Sequence, residues 1–532
     1  MKRIWIKNGR VIDGTNTPAH TADVIVEGDR IVSVGEPGSP SDTVIDAAGK
    51  VVCPGFVDIH RHCDAKFLQD SDFGKVMLAQ GITTTVVGNC GMSLTPSPKD
   101  PAEMYDFMEA VLGSGCEKLG LHDYKDYVAV LQSRPLPVNA ASMVGTGSVK
   151  ITVKGFADTP YTAEELKKAA SLIEDALNAG AVGVSCGIMY LPECYSTTNE
   201  FAEILKPLGK AGRVLTAHIR GEGDSLVSSV KEIIEIGKKA GCPVEISHFK
   251  CCGMENWRKG IHEAIALIEE ARAAGQDVTC DFYPYEGGST ALTTMLPPCC
   301  VAGDMTAALA RLGTPEGVEE FRKAAAVRYD DWDNYAITLG WDRILISGVS
   351  APENRRFLGL TVEEAAKKFG FSDSASCAAY LMHTDNGKTA IINMSMCQED
   401  IDTVARLPYS TIISDSIYAD TDTPHPRMYG SFPKIIREYV NERHVLTLEQ
   451  AIEKMTSRPA RRMGLKDRGE LRPGAYADLL IFDPDTFKDR ATFSEPTLLA
   501  EGLSYALLNG VPVWQDGELL SRSAGRCLLA DR

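Results

Sequence analysis

Six residues able to ligate a metal, His60, His62, Cys90, His218, His248 and Asp415, are scattered through the chain, each at the C-terminal end of a short apolar run. The first pair closes Gly55-Phe56-Val57-Asp58-Ile59-His60-Arg61-His62. Residues i and i+2 of a strand share a face, so both imidazoles can reach one ion while Arg61 points away. His218 ends residues 214–217, His248 ends 244–247, Cys90 closes 83–89 and Asp415 follows 411–414. Imidazole, thiolate and carboxylate are the ligands zinc takes, and a carboxylate can also serve as a base. Buried without such a role, the paired imidazoles and the carboxylate would be costly polar groups. The chemistry this set points to is that of a metallohydrolase. Of the other six histidines, His20, His122, His262, His383 and His444 read as surface or satisfied core residues.

Ligands so far apart in sequence meet only if the fold gathers strand ends. Strand patterns end near His60, Cys90, Val144, Ile188, His218, His248, Tyr283 and Asp415, with helix signals between them. Thr162-Ala163-Glu164-Glu165 is a capping box, followed by apolar residues at helical spacing and closed by Gly180; Thr447-Leu448-Glu449-Gln450 opens a later helix in the same way. Eight strands alternating with helices predict an α/β fold, a (β/α)8 TIM-like barrel whose strand ends share one mouth. The first fifty residues read as hairpins, one turning at Lys7-Asn8-Gly9 and another at Glu27-Gly28-Asp29, and residues 477–483 and 505–513 are β-rich as well. Both ends together predict one small β-sandwich: 1–52 and 466–532 flanking a catalytic barrel over 53–465. The stretch from about 290 to 400 is too long for one connection, and its Pro297-Pro298, helical runs, Trp332 and Trp341 predict an inserted lid beside the mouth.

With 532 residues, 44% hydrophobic and 24% charged, the chain has the composition of a soluble globular protein large enough for more than one domain. Its charge of −17 argues against nucleic acid or an anionic membrane as partner. Neither a secretory leader nor an apolar stretch of membrane-spanning length is present. Fifteen cysteines with no Cys-x-x-Cys pair read as free thiols in a reducing cytoplasm. Oligomeric state leaves no mark in the sequence.

The chain resembles the D-aminoacylase (N-acyl-D-amino-acid deacylase) branch of the amidohydrolase superfamily along nearly its whole length. The stretches that carry the likeness are Pro54-Gly55-Phe56-Val57-Asp58 with His60 and His62, Val87-Gly88-Asn89-Cys90-Gly91 and His218-Ile219-Arg220-Gly221-Glu222-Gly223. Others are Ile246-Ser247-His248-Phe249-Lys250, Asp281-Phe282-Tyr283-Pro284-Tyr285, His425-Pro426-Arg427 and Pro473-Gly474-Ala475-Tyr476-Ala477-Asp478. The resemblance implies one tightly held zinc on Cys90, His218 and His248, and a weaker second metal site on His60, His62 and Asp415. Many amidohydrolases bridge two metals with a carboxylated lysine on the fourth strand; no lysine occurs from 169 to 205, and Cys90 suits that vacancy. It further implies Asp415 as the base and then the acid, Arg427 as a fork for the substrate α-carboxylate, and Lys250, Tyr283 and Ser289 as contacts to the same group. A structural salt bridge is the competing role for Lys250, and Tyr190 could line the pocket or pack.

The chain departs from the pattern at Gly145-Thr146-Gly147, where a histidine is usual, at Ser414-Asp415-Ser416, at Cys186 and at Pro192-Glu193-Cys194. If Glu193 faces the pocket, it would favour a cationic or polar substrate side chain. Two alternatives remain: hydrolysis of a cyclic amide, as in hydantoinases and dihydroorotases, and a non-catalytic scaffold. The absent bridging lysine and the present Arg427 disfavour the first, and retention of all six ligands disfavours the second.

Overall fold

The computed structural model describes residues 3–39, 42–70, 72–301, 304–330 and 332–531. Eight parallel strands form the central barrel: β1 (Phe56–Asp58), β2 (Ile82–Val87), β3 (Asn139–Ser142, resuming as Val144–Gly145), β4 (Gly183–Gly187), β5 (Val214–His218), β6 (Val244–Ile246), β7 (Val278–Phe282) and β8 (Ser410–Ile412). Met143 interrupts β3, whose first piece pairs with β2 and whose second pairs with β4. A parallel bridge between Arg61 and Ser416 joins β1 to β8. Every residue of β1, β2 and β4–β6 is buried, as expected for strands covered on both faces. The predicted capping boxes form: Thr162 with Glu165 opens Ala163–Asn178, and Thr447 with Gln450 opens Leu448–Met455.

The two ends of the chain share one nine-stranded sheet. Val51–Pro54 lies between Arg3–Val11, its parallel neighbour, and Leu479–Phe482, its antiparallel one. The sheet encloses a core that includes Ile4, Ile6, Val24, Leu479 and Ile481. The turn predicted at Lys7-Asn8-Gly9 is instead a bulge within the single strand Arg3–Val11, which pairs throughout with His20–Glu27. Asn8 takes φ 61° there, and its N–H donates to Asp23. Local turn chemistry had a longer-range partner that kept the strand running. The hairpin at Gly28-Asp29 forms as expected.

The long insertion has its own core and an antiparallel sheet of Gly288–Ala291, Ile344–Gly348 and Ala390–Asn393. Its residue Trp332 is buried, whereas Trp341 is part-exposed.

Candidate metal centre and active site

The barrel brings all six sequence-identified ligands to one place. Cys90 Sγ lies 3.2 Å from His60 Nε2 and 3.6 Å from His248 Nε2. Asp415 Oδ1 is 3.3 Å from His60 Nε2 and 3.6 Å from His62 Nε2. Three triads, His60–His62–Cys90, Cys90–His218–His248 and His60–His248–Asp415, each have ligand atoms within 4.8 Å of one another. All six residues are buried. Cys90, His248 and Asp415 have φ values of 52°, 36° and 49°, a left-handed conformation that is costly for residues with a side chain and tends to collect at functional sites.

Neighbouring elements explain how such turns are held. Ser185 of β4 donates to Gly88 O at 2.5 Å and accepts from Gly91 N at 3.0 Å, gripping the Cys90 turn from both sides. Gly187 is also required, because a Cβ there would sit 2.1 Å from Cys90 O. On the opposite side Arg61 does point away from the cluster. It donates to Asp58, Ser414, Tyr418 and the Met428 carbonyl, while Ser414 donates to Asp58, so one buried ion pair links β1 to the segment carrying Asp415.

The donor set fits a divalent cation such as zinc. Burial lowers the pKa of His60 to about 4, and burial likewise holds His62, His218 and His248 low, so all four imidazoles are neutral, as ligation requires. Burial and then the neighbouring Asp415 carboxylate raise the Cys90 thiol; a cation among these groups is what would reverse that. The atoms that converge are Nε2 of His60, His62 and His248 with Cys90 Sγ and Asp415 Oδ1, a soft and hard donor set of the kind zinc takes.

Asp415 has a cationic partner as well as its imidazole neighbours. Its Oδ2 lies 2.7 Å from Arg427 Nη1, and both side chains are nearly inaccessible. Burial raises its pKa, but the neighbouring Arg427 guanidinium, first among the groups that lower it, outweighs burial and holds the carboxyl well below its usual range. Arg427 stacks over Tyr283 at 4.7 Å and donates to the Ser289 carbonyl at 3.3 Å, while its Nε has no hydrogen-bond partner. Tyr283 carries an unpartnered hydroxyl in the same cavity. Tyr190 packs against the His218 ring at 4.6 Å and meets Thr290 at 3.2 Å, so it both packs and lines the cavity. Ser289 is a further wall residue, on the insertion's first strand.

Lys250 finds an internal carboxylate. Its Nζ is 2.5 Å from Glu222 Oε1 and 2.8 Å from His248 Nδ1, and the same Glu222 oxygen is 2.9 Å from His248 Nδ1. Glu222 stands within the His218–Gly223 motif, but no spacing rule links it to His248 and Lys250, 26 and 28 positions away. Nor does any sequence signal mark Met189, whose Sδ lies 3.2 Å from His218 Nε2. A third unassigned residue, Asp333 of the insertion, accepts from Glu222 N at 2.5 Å, Gly223 N at 2.6 Å, and Ser225 N and Oγ at 3.0 and 2.9 Å. It thereby ties the insertion to the loop carrying Glu222.

Glu193 does not meet the condition set for it. It is 2% exposed, but it accepts from Thr146 Oγ1 and from Gly187 N at 3.0 Å, and it is not among the cavity-lining residues. A Cβ at Gly147 would lie 2.7 Å from its carboxylate, so two departures from the family pattern are one packing arrangement. His383 and His444 hydrogen-bond backbone carbonyls, as expected of structural histidines.

Residues 43–248 and 401–514 match the profile of the amidohydrolase family. Along 99% of its length the chain is 33% identical to a D-aminoacylase from Alcaligenes xylosoxydans xylosoxydans, covering 97% of that protein. This chain belongs to the D-aminoacylase branch of the amidohydrolase family. It is 34% identical over 99% of its length to an N-acyl-D-glutamate deacylase and 32% identical over 96% to an N-acyl-D-aspartate deacylase of the same organism, with 96% and 92% of those proteins covered. Identity therefore does not separate the three. A crystal structure of N-acyl-D-glutamate deacylase from Bordetella bronchiseptica, complexed with zinc and a phosphonate mimic of the tetrahedral intermediate, superposes with TM-score 0.84 at 32% identity over 100% of both chains. A D-aminoacylase crystal structure gives 0.83 at 34% over 99% of both. An L-hydantoinase, at 17% identity and TM-score 0.56, shares the fold alone.

Proposed function

We propose that this enzyme hydrolyses the amide bond of N-acyl-D-amino acids, releasing a carboxylate and a free D-amino acid. Cys90, His218 and His248 would hold one tight zinc, and His60, His62 and Asp415 a second, weaker metal. Bound zinc supplies a Lewis acid for the amide carbonyl and an acidified water. The ionised Asp415 takes the proton of the attacking water and delivers it to the departing amine. Arg427 turns its spare donors to the substrate α-carboxylate, assisted by the hydroxyls of Tyr283 and Ser289 and by Lys250. Tyr190 packs over the bound substrate.

One observation carries this reading: a buried arginine with an unpartnered donor faces the same cavity as the His/Cys/Asp cluster. A linear substrate with a free carboxylate suits it, whereas a cyclic amide offers Arg427 no such partner. The D configuration rests on the relatives. In this account residues 53–465 are the catalytic unit with its insert at about 290–400, and 1–52 with 466–532 are the flanking β unit. The cytoplasm is the proposed compartment, supported by fifteen free cysteines, and neither nucleic acid nor membrane is a proposed partner, given the −17 charge. No helix among the described residues is long and apolar enough to cross a membrane. The test is zinc content together with hydrolysis of N-acetyl-D-methionine and its L-enantiomer. About one zinc per chain with D-selective amine release is expected; a zinc-loaded protein that cleaves neither would refute the reading.

A further inference from the structure

The substrate's side chain meets a second space beside the metal cluster. The two cavities share Met92, Val111, Met189, Tyr190 and Thr290 as a common wall. Beyond that wall the annex is bounded by Phe107 and Leu191 of the barrel side and by Leu296, Met305 and Trp332 of the insertion. Among the described residues none that lines it is charged. Among the described residues the only lysine and arginine lining the cluster cavity are Lys250 and Arg427, and each is already matched, Lys250 by Glu222 at 2.5 Å and Arg427 by Asp415 at 2.7 Å. One substrate carboxylate can use the remaining donors of Arg427. A second carboxylate, from a D-glutamate or D-aspartate side chain, would find no further cation and would lose its water without compensation.

Building on the proposed deacylase function, we infer that the annex is a subsite for an apolar chain of the substrate and that acidic side chains are rejected. The apolar chain has two possible sources, the amino-acid side chain and the acyl group, and both would be recognised by the same surface. Burying an apolar group there favours catalysis by about tenfold or more for each added pair of methylenes that fits. An unpaired carboxylate in the same place lowers kcat/KM by at least about 100-fold relative to an isosteric apolar side chain.

The experiment uses zinc-loaded full-length protein and two substrate series. In the first, the acyl group stays acetyl and the D-amino acid runs through alanine, leucine, methionine, glutamate and aspartate. In the second, D-alanine is kept and the acyl group lengthens from acetyl to butanoyl to hexanoyl. The inference expects kcat/KM to rise with apolar length in at least one series, which identifies the source, and expects N-acetyl-D-glutamate and N-acetyl-D-aspartate to fall about 100-fold or more below N-acetyl-D-methionine. Acidic substrates within tenfold of methionine, or no length dependence in either series, would overturn it while leaving the deacylase reading intact. Failure to cleave any member would overturn both. A charge placed in the annex by Thr294→Arg, at a part-exposed wall position, should shrink the methionine-to-glutamate ratio at least tenfold; an unchanged ratio would remove the chain from the annex.

Discussion

Replacing Glu222 with glutamine separates two jobs that one carboxylate performs. Glu222 Oε1 lies 2.9 Å from His248 Nδ1 and 2.5 Å from Lys250 Nζ, with its side chain 5% exposed. Toward His248 it selects the tautomer that leaves Nε2 free for a metal; loss of such a partner weakens metal binding by about 10- to 100-fold, or about 1.4–2.8 kcal/mol. Toward Lys250 it neutralises a buried ammonium, and removing one member of such a pair costs about 3–5 kcal/mol, less here because glutamine keeps a carbonyl acceptor. Zinc affinity of Glu222→Gln, read by competition with a chromophoric chelator, should therefore fall 10- to 100-fold. Lys250→Met should leave zinc affinity unchanged or tighter, because it removes a cation 2.8 Å from the same ring. The double variant Glu222→Leu/Lys250→Met should unfold at a higher temperature than Glu222→Gln, since no charge is then left alone. Zinc affinity of Glu222→Gln within threefold of wild type would refute the argument and reduce Glu222 to a counter-ion for Lys250.

Other outcomes follow from particular contacts. Gly187→Ala puts a Cβ 2.1 Å from Cys90 O and should displace the thiolate turn, with zinc content falling well below one per chain in a folded protein by circular dichroism. Asp333→Ala removes an acceptor of four hydrogen bonds and should raise amide exchange in residues 221–225, measured by mass spectrometry, before any global unfolding. Lys454 is buried, and burial and then Arg458 lower its pKa to about 7 in the fold, against 10.5 in an unfolded chain. Between those values the unfolded chain binds the extra proton, so this group's contribution to stability rises with pH from about 7 toward 10.5 and is at its most unfavourable below 7. The melting temperature of wild type should accordingly gain on that of Lys454→Met as pH increases from 6.5 to 9; a constant difference would contradict the assignment.

Much of the site was legible because strand ends obey a simple rule. A parallel barrel turns distant positions into neighbours, so an apolar run ending in His, Cys or Asp announced each of the six cluster members without any knowledge of contacts. What the sequence could not supply was pairing. Arg427 and Asp415 were read separately, as clamp and base, although they touch. Glu222 and Asp333 stand 111 positions apart, and their link depends on how the insertion lies against the barrel. Glu193 was legible as unusual but not as buried behind Gly91 and Gly147, because its place depends on volume that the missing third-strand side chain leaves open. At Asn8 the turn residues were real, yet pairing with His20–Glu27 along the whole strand converted the turn into a bulge.

The central claim is that Asp415 moves the proton while Cys90, His218 and His248 hold the essential zinc. The decisive measurement is zinc content and N-acetyl-D-methionine turnover of Asp415→Ala beside wild type. The account predicts about one zinc retained per chain and kcat/KM lowered by about 10²–10⁴-fold, the contribution of a positioned acid–base group. A zinc-loaded variant with turnover near wild type, or loss of the tightly held zinc along with the aspartate, would contradict it.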